Sequence, residues 1–500
     1  MSALLAYLLC ACAEPSPNER LMWLHEGLVQ DNYRWLMSAP ELVEAKLIKM
    51  AGRQLDGSQP LYPYLRGSLG QMYRDLAPRS PWAHPTLVEL GDDLIWLVGD
   101  PHPENLSASL SADGELMGLG WDDMDSANFG PWLWDLRRLA LSAWVIAEDH
   151  GWRAERDALI EASVRGYLSG LEQSLLGARP RAALSESLSA EGQASELPTP
   201  VLLMLQKGWQ RLRSRHSLQK YSELKGGQRA LKRGELRPRT QRDAPRDELW
   251  SLTVEERALL SSLEPLLRAQ RAAHSPPTPL GALKDVARRV GAGVSSYPAQ
   301  RYLLLFEGPQ AGVEDDALWE LKELAPHFAV PQLESWLWRS FPSISARELS
   351  SRLTLGWRGA DPSLLSLEVA DLTFRARELR GELTGLNVSD LETPEDALAV
   401  LELTGSLLAG AHATAPSLKG YRGSSPGPRG AQSILRSLRP LSAQEDPLVA
   451  LPALLSETLE FLERYGPQLR QDQAHLEALL TLNASLGGIL GVRFTTSTQP

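Results

Sequence analysis

Two short apolar runs, each closed by an acidic loop, leave this chain less freedom than any other part of it. Leu94-Ile95-Trp96-Leu97-Val98 runs into Gly99-Asp100-Pro101-His102-Pro103-Glu104-Asn105, and Leu116 to Leu119 runs into Trp121-Asp122-Asp123-Met124-Asp125. Short apolar runs bounded by Gly, Pro and Asp read as buried strands, and Asp113-Gly114 supplies a turn between them. Asp100 and Asp123 therefore each stand just past a strand end, on one rim. Gly130-Pro131-Trp132-Leu133-Trp134-Asp135-Leu136 follows, and the apolar residues of Trp134 to Gly151 and of Arg153 to Leu176 recur with a helical period. Strands, acidic loops and a helix pair in this order specify an α+β fold.

The chain's 500 residues, 43% hydrophobic and 23% charged, are enough for two or three packed domains. A net charge of -11 gives no global attraction to nucleic acid or an anionic membrane. No apolar run reaches the roughly 18 residues of a spanning helix. Both cysteines, Cys10 and Cys12, lie in the apolar stretch Ala3–Ala13, so the body offers neither a disulfide nor a thiolate metal site. Leu9-Cys10-Ala11-Cys12 resembles a bacterial lipobox. Residues 1–19 then read as the signal and tether of an exported envelope lipoprotein acylated at Cys12, with membrane contact only through that anchor. No Lys or Arg precedes the apolar run, as a signal peptide's charged region requires. The alternative is a cytoplasmic protein whose first residues form a short packed helix.

Residues 20–177 read as a helical region leading into the acidic loops, and 178–200 as a Ser-, Ala- and Pro-rich linker. Residues 201–330 read as a basic segment plus a small β-lobe, and 331–500 as a helical region. Thirteen Lys or Arg from Lys207 to Arg246 stand against Glu223, Glu235 and Asp243, with only Trp209 and Tyr221 available for stacking. That segment reads as a basic helix plus hairpin, and no specific nucleic-acid partner is expected. In the β-lobe, Val286 to Val290, Tyr302 to Phe306 and Ala317 to Leu321 are strands. Gly291-Ala292-Gly293 is a tight turn, and Lys322 ends the third strand.

Phosphoryl-transfer enzymes place an Asp to take the acceptor hydroxyl's proton, an Asn a few residues on for metal, and a second Asp for metal bridging the phosphates. Asp100, Asn105 and Asp123 carry this pattern, with Asp125 as a ligand to a second metal or a loop cap. A glycine turn lets backbone N–H groups approach a triphosphate, and a lysine on a neighbouring strand neutralises it. Gly291, Gly293 and Lys322 fit those roles, which makes ATP and Mg²⁺ the expected cofactors. Alone, a Gly cluster is more often an ordinary turn and such a lysine more often solvated. His102 orients Asp100 or bonds backbone. Asp135 caps its helix or supports the loop, and Asp122 serves equally well as a solvated turn residue. Arg66 grips a phosphate or carboxylate, or pairs with Asp75 or Asp100. Glu334 and Glu348 are partners for Lys322 by chain position alone, and His412 reads as a core or supporting residue.

Asp100, His102, Asn105, Asp123 and Asp135-Leu136 together resemble the catalytic segment of aminoglycoside-phosphotransferase-like kinases, with Val98 in place of their leading His. Over most of its length the chain is similar to the bacterial domain-of-unknown-function 2252 family. The matching motifs are Tyr64-Leu65-Arg66-Gly67, Gly99 to Asn105, Asp123-Met124-Asp125, Gly130 to Leu139, Gly291 to Ser296, Lys322-Glu323 and Leu408 to Ala413. Leu106-Ser107 and Ser126 depart from that family's usual Phe-Gly and Glu. The resemblance implies a protein-kinase-like core with a large helical portion. Because the glycine turn and lysine follow the acidic loops here, the core would be circularly permuted. The permutation predicts that Lys322 and Asp123 face one cleft although 199 positions separate them.

The expected activity is ATP- and Mg²⁺-dependent phosphoryl transfer to an unknown hydroxyl on a small molecule or protein. The alternatives are nucleotidyl (AMP) transfer on the same scaffold and a non-catalytic nucleotide-binding or interaction lipoprotein. Export and kinase chemistry pull apart, because the envelope holds no standing ATP pool. Binuclear metallophosphoesterases share Gly-Asp-x-His but need further histidine motifs, which the nine scattered histidines do not form.

Overall fold

The computed structural model describes residues 16–52, 58–77, 80, 94–111, 116–177, 183–185, 197–234, 247–273, 279–310, 312–324, 341, 343–356, 363–381, 383–418, 430–439, 446–483 and 486–490. The lipobox cysteines, the Asp113-Gly114 turn and Glu334 lie outside them.

Mixed helix and sheet form an α+β protein. The helix Trp132–His150 is buried at every position from Trp132 to Ala147, its Asp135, Arg137 and Arg138 included, each of which has a buried polar partner. Arg156–Leu175 packs on it, and Pro394–Thr414 lies against Arg156–Leu175 in turn. Glycines permit that approach: a Cβ on Gly166 would sit 2.1 Å from the Glu402 carbonyl oxygen, and one on Gly405 2.3 Å from that of Ser163. Pro394–Thr414 is long and apolar enough by composition to cross a membrane, but here its apolar surface contributes to this helical core. The long helix Leu451–Leu482 joins the body through a buried Arg137 to Glu457 ion pair at 2.8 Å.

The acidic loops grow from short strands laid on this body. β1 (Ile95–Leu97) is in the chain's apolar core. β2 (Leu106–Leu110) and β3 (Leu116–Trp121) form an antiparallel hairpin. β4 (Asn128–Gly130) pairs with β1, and β5 (Ala183–Ser185) pairs with β3. The expected linker is thus part strand, and its last residues open the helix Thr199–Arg213. The basic segment forms this helix, His216–Tyr221 and the hairpin β6 (Ser222–Lys225) and β7 (Gln228–Leu231).

The β-lobe is larger than the sequence reading. β8 (Glu248–Trp250), β9 (Leu283–Val290), β10 (Arg301–Phe306), β11 (Ala317–Leu324), β12 (Leu365–Val369) and β13 (Leu372–Glu378) form one antiparallel sheet in the order β12-β13-β11-β10-β9-β8. Two of these strands fall beyond residue 330, in the segment read as helical. Lys322 lies inside β11 rather than at its end. One face packs Tyr302, Leu304, Phe306, Trp319, Leu321 and Phe374 against the helix Val254–Ala273. The other face changes along the strands: Leu303, Leu305 and Leu318 join an apolar cluster, while Arg301 and Glu320 lie in a charged end whose Lys322, Arg375 and Arg377 pair with aspartates of the second acidic loop. The helix Ile344–Leu355 follows β11, started by Ser343, whose hydroxyl accepts from the Ala346 N–H at 3.1 Å. The short strand β14 (Thr384–Gly385) returns the chain to β2.

Candidate functional site

The first acidic loop is held from below by one carboxylate. Asp135, in the first turn of Trp132–His150, accepts from the Val98 N–H at 2.7 Å and the Gly99 N–H at 3.2 Å. Its Oδ2, which accepts from Val98, also lies 3.0 Å from His412 Nε2, and the Tyr167 hydroxyl lies 2.9 Å from His412 Nδ1. Asp135 and His412 thus support the loop, one of the two roles open to Asp135. Gly99 has φ 93°, and a Cβ there would sit 2.1 Å from the Ser126 carbonyl oxygen. The two acidic loops therefore touch backbone to backbone, at a point only glycine fits.

Asp100 is buried, and its Oδ1 accepts from Arg138 Nε at 2.7 Å. Arg138 also donates to the Leu65 carbonyl oxygen at 2.6 Å. Burial pushes the Asp100 carboxyl up, with Arg138 opposing it. His102 Nε2 lies 3.6 Å from Asp100 Oδ2, and its Nδ1 meets the Tyr62 hydroxyl at 3.3 Å rather than a backbone group. Burial, reinforced by Arg66 and Arg138, holds its imidazole well below the usual range, hence neutral at pH 7. Asn105 donates from Nδ2 to the Asp100 carbonyl oxygen at 2.8 Å, which leaves its Oδ1 for a metal. Arg66 pairs with neither Asp75 nor Asp100; it bonds Glu104 Oε2 at 2.6 Å. Asp75 is instead taken by Arg20, Trp23 and Tyr465.

The second loop faces the charged end of the sheet. Lys322 Nζ is 3.3 Å from Asp123 Oδ1 and is also bonded to Asp125. The Lys322 side chain is 2% exposed, whereas that of Asp123 is 40% exposed and open to a ligand. Its partly enclosed setting would raise the Asp123 carboxyl, but Lys322, Arg375 and Arg301 hold it well below the usual range. Asp122 is no solvated turn residue. Arg377 lies 3.1 Å and Arg352 3.4 Å from its Oδ1, and these arginines overcome burial to hold it at about 2. Glu348 stands in the same charge cluster. It accepts from Arg352 Nε at 2.7 Å and Arg375 Nη1 at 3.1 Å, which hold it at about 2 against burial. Lys322 itself pairs with the aspartates.

Gly291 and Gly293, with φ 95° and 77°, turn the chain from β9 toward β10. Lys49, from the helix Pro40–Ala51, donates to their carbonyl oxygens at 3.1 and 2.8 Å. Burial, with Arg66 nearby, pushes the Lys49 amine down to about 8. Lys49 and Arg138 escaped the sequence reading. Arg138 at least follows Asp135 by one helical turn, whereas Lys49 looks like any lysine on a helix.

Among the described residues, no three His, Cys, Asp or Glu side chains are grouped to hold a metal. Asn105, Asp123 and Asp125 are oxygen donors, the type Mg²⁺ takes, and few are needed when phosphate oxygens complete its shell. The donor chemistry therefore suits a hard divalent cation such as Mg²⁺.

A family model described as an uncharacterized protein conserved in bacteria, domain of unknown function 2252, matches residues 39–476. The chain belongs to this family, and both acidic loops, the glycine turn and Lys322 lie within the matched span. No curated protein and no solved structure gives a significant match.

Proposed function

We propose that this chain is an ATP- and Mg²⁺-dependent phosphotransferase with a permuted kinase-like core. The carrying observation is the meeting of Lys322 with Asp123 at 3.3 Å across 199 residues. Three further features support the reading: glycines between consecutive strands, a lysine on the next strand, and a glutamate, Glu348, on the next described helix. Mg²⁺-ATP, when bound, supplies the transferable phosphoryl group and the metal charge that neutralises it. Asn105 and Asp123 hold the metal, with Asp125 beside them, and Lys322 balances phosphate charge. Asp100 would take the proton of the acceptor hydroxyl as the acceptor oxygen bonds to the γ phosphorus, while the bond to the leaving ADP breaks. Asn105 and Arg138 keep Asp100 in place, and Asp135 keeps its loop.

The buried Arg138 bond to Asp100 favours, as a second reading, nucleotide binding without turnover. Incubating the protein with pooled bacterial metabolites and proteins plus ATP labelled at either the γ or the α phosphate separates these readings. The proposal expects transfer of the γ label, reduced about 10²- to 10⁴-fold by Asp100→Asn. Transfer of the α label would mean nucleotidyl transfer instead. Transfer of neither label, with nucleotide still bound, would favour the second reading.

A further inference from the structure

The sheet beside the glycine turn carries more positive charge than one nucleotide lysine requires. β10, β11 and β13 are neighbours, and their register sets Arg301 opposite Lys322 and Lys322 opposite Arg375. This is a row of three cations on one face. Like charges set directly opposite repel, so such a row needs anions in front of it. Lys322 has Asp123 and Asp125, and Arg375 has Glu348 at 3.1 Å and Asp125 at 3.6 Å.

Arg301 is served worst. It is 9% exposed, and its nearest ion-pair carboxylate among the described residues, Glu320, lies 3.7 Å away and is already held by Arg289 at 2.6 Å. Its Nη2 donates to the neutral Ser296 hydroxyl at 2.9 Å, and its buried Nε has no hydrogen-bond partner among the described residues. A buried guanidinium so weakly compensated is costly unless a ligand completes it. Its position points to the ligand: Ser296 belongs to the glycine turn, and a Cβ on Gly293 would lie 3.4 Å from Arg301 Nη2. The guanidinium thus sits between that turn and Lys322.

We propose that Arg301 and Arg375 flank Lys322 as further phosphate-binding residues, so that the site selects a triphosphate chain over a single phosphate. This rests on the nucleotide reading above. A metal held by Asn105 and Asp123, with Asp125 beside them, would compete with Lys322 for the carboxylates, and phosphate oxygens would then compensate the row. Metal and polyphosphate therefore bind together better than either binds alone.

Calorimetric titration of the full chain with ATP, inorganic tripolyphosphate, AMP and inorganic phosphate, each with Mg²⁺, tests this. Arg301→Met is expected to weaken ATP and tripolyphosphate about tenfold or more, the size of a lost charged hydrogen bond, and to leave AMP and phosphate little changed. Arg301→Lys should recover part of the loss. It also guards against a folding defect, as does a melting curve of each variant. Unchanged ATP affinity in a folded Arg301→Met overturns the proposal, and so does tighter binding, which would make Arg301 a plug. If the wild type binds tripolyphosphate through Arg301 but no ATP, the nucleotide reading fails while the polyphosphate site stands.

Discussion

Each candidate side chain is fixed by specific neighbours, which separates binding from chemistry. Asp123 is the exposed carboxylate of the pair at Lys322, so Asp123→Ala should abolish productive Mg²⁺-nucleotide binding. Asp100 contacts Arg138 and lies beyond the Lys322 cluster, so Asp100→Asn should leave nucleotide affinity within about twofold while turnover falls. Calorimetry beside a turnover assay checks both, and equal losses of affinity in the two variants would contradict the division of roles. Asp135 answers to two backbone N–H groups and His412. Asp135→Ala should therefore cost stability, about 3–5 kcal/mol by analogy with breaking a buried ion pair. A denaturant melt within 1 kcal/mol of wild type would contradict it. The meeting of Lys322 with Asp123 was legible because motif resemblance placed both beside one cleft. Asp122 was not: its partners Arg352 and Arg377 lie 230 and 255 residues away, and no local pattern announces an ion pair of that span.

At the scale of elements, the apolar runs at β1, β10 and β11 were legible because both faces of each strand are buried. β13 escaped because its faces differ: Phe374 and Ala376 enter the core while Arg375 and Arg377 face the acidic loops. Apolar and charged residues in alternation read as surface when the opposing anions are remote in sequence. The sheet and the helix Ile344–Leu355 meet through those charges, and this makes the junction sensitive to acid. Asp122 and Glu348 stand at about 2 in the folded chain against ordinary values of 3.8 and 4.5. The unfolded chain therefore takes up these protons first as pH falls. Their contribution is full above about pH 4.5 and is lost as pH approaches about 2. Melting temperature should fall through that window, and less steeply in Glu348→Gln. Parallel curves for the two proteins would contradict the assignment.

In the whole molecule, the catalytic-loop candidates ride on a buried helical body, and the lysine and glycine turn ride on a separate six-stranded sheet. Lys322, Asp123 and Asp125 join the two, with Asp122 pairing to Arg377 beside them. The resemblance of motifs suggested this meeting in advance, whereas the acceptor's pocket has no comparable code in the chain. A ligand bound at this junction should stabilise both parts together, because it binds the folded form alone. The most direct measurement is the melting temperature of the full chain titrated with ATP, with and without Mg²⁺, in wild type and Asp123→Ala. The account predicts a saturable rise that needs Mg²⁺ and is absent from the variant. No rise at millimolar ATP, or an equal rise in Asp123→Ala, would contradict a nucleotide site at Lys322 and Asp123.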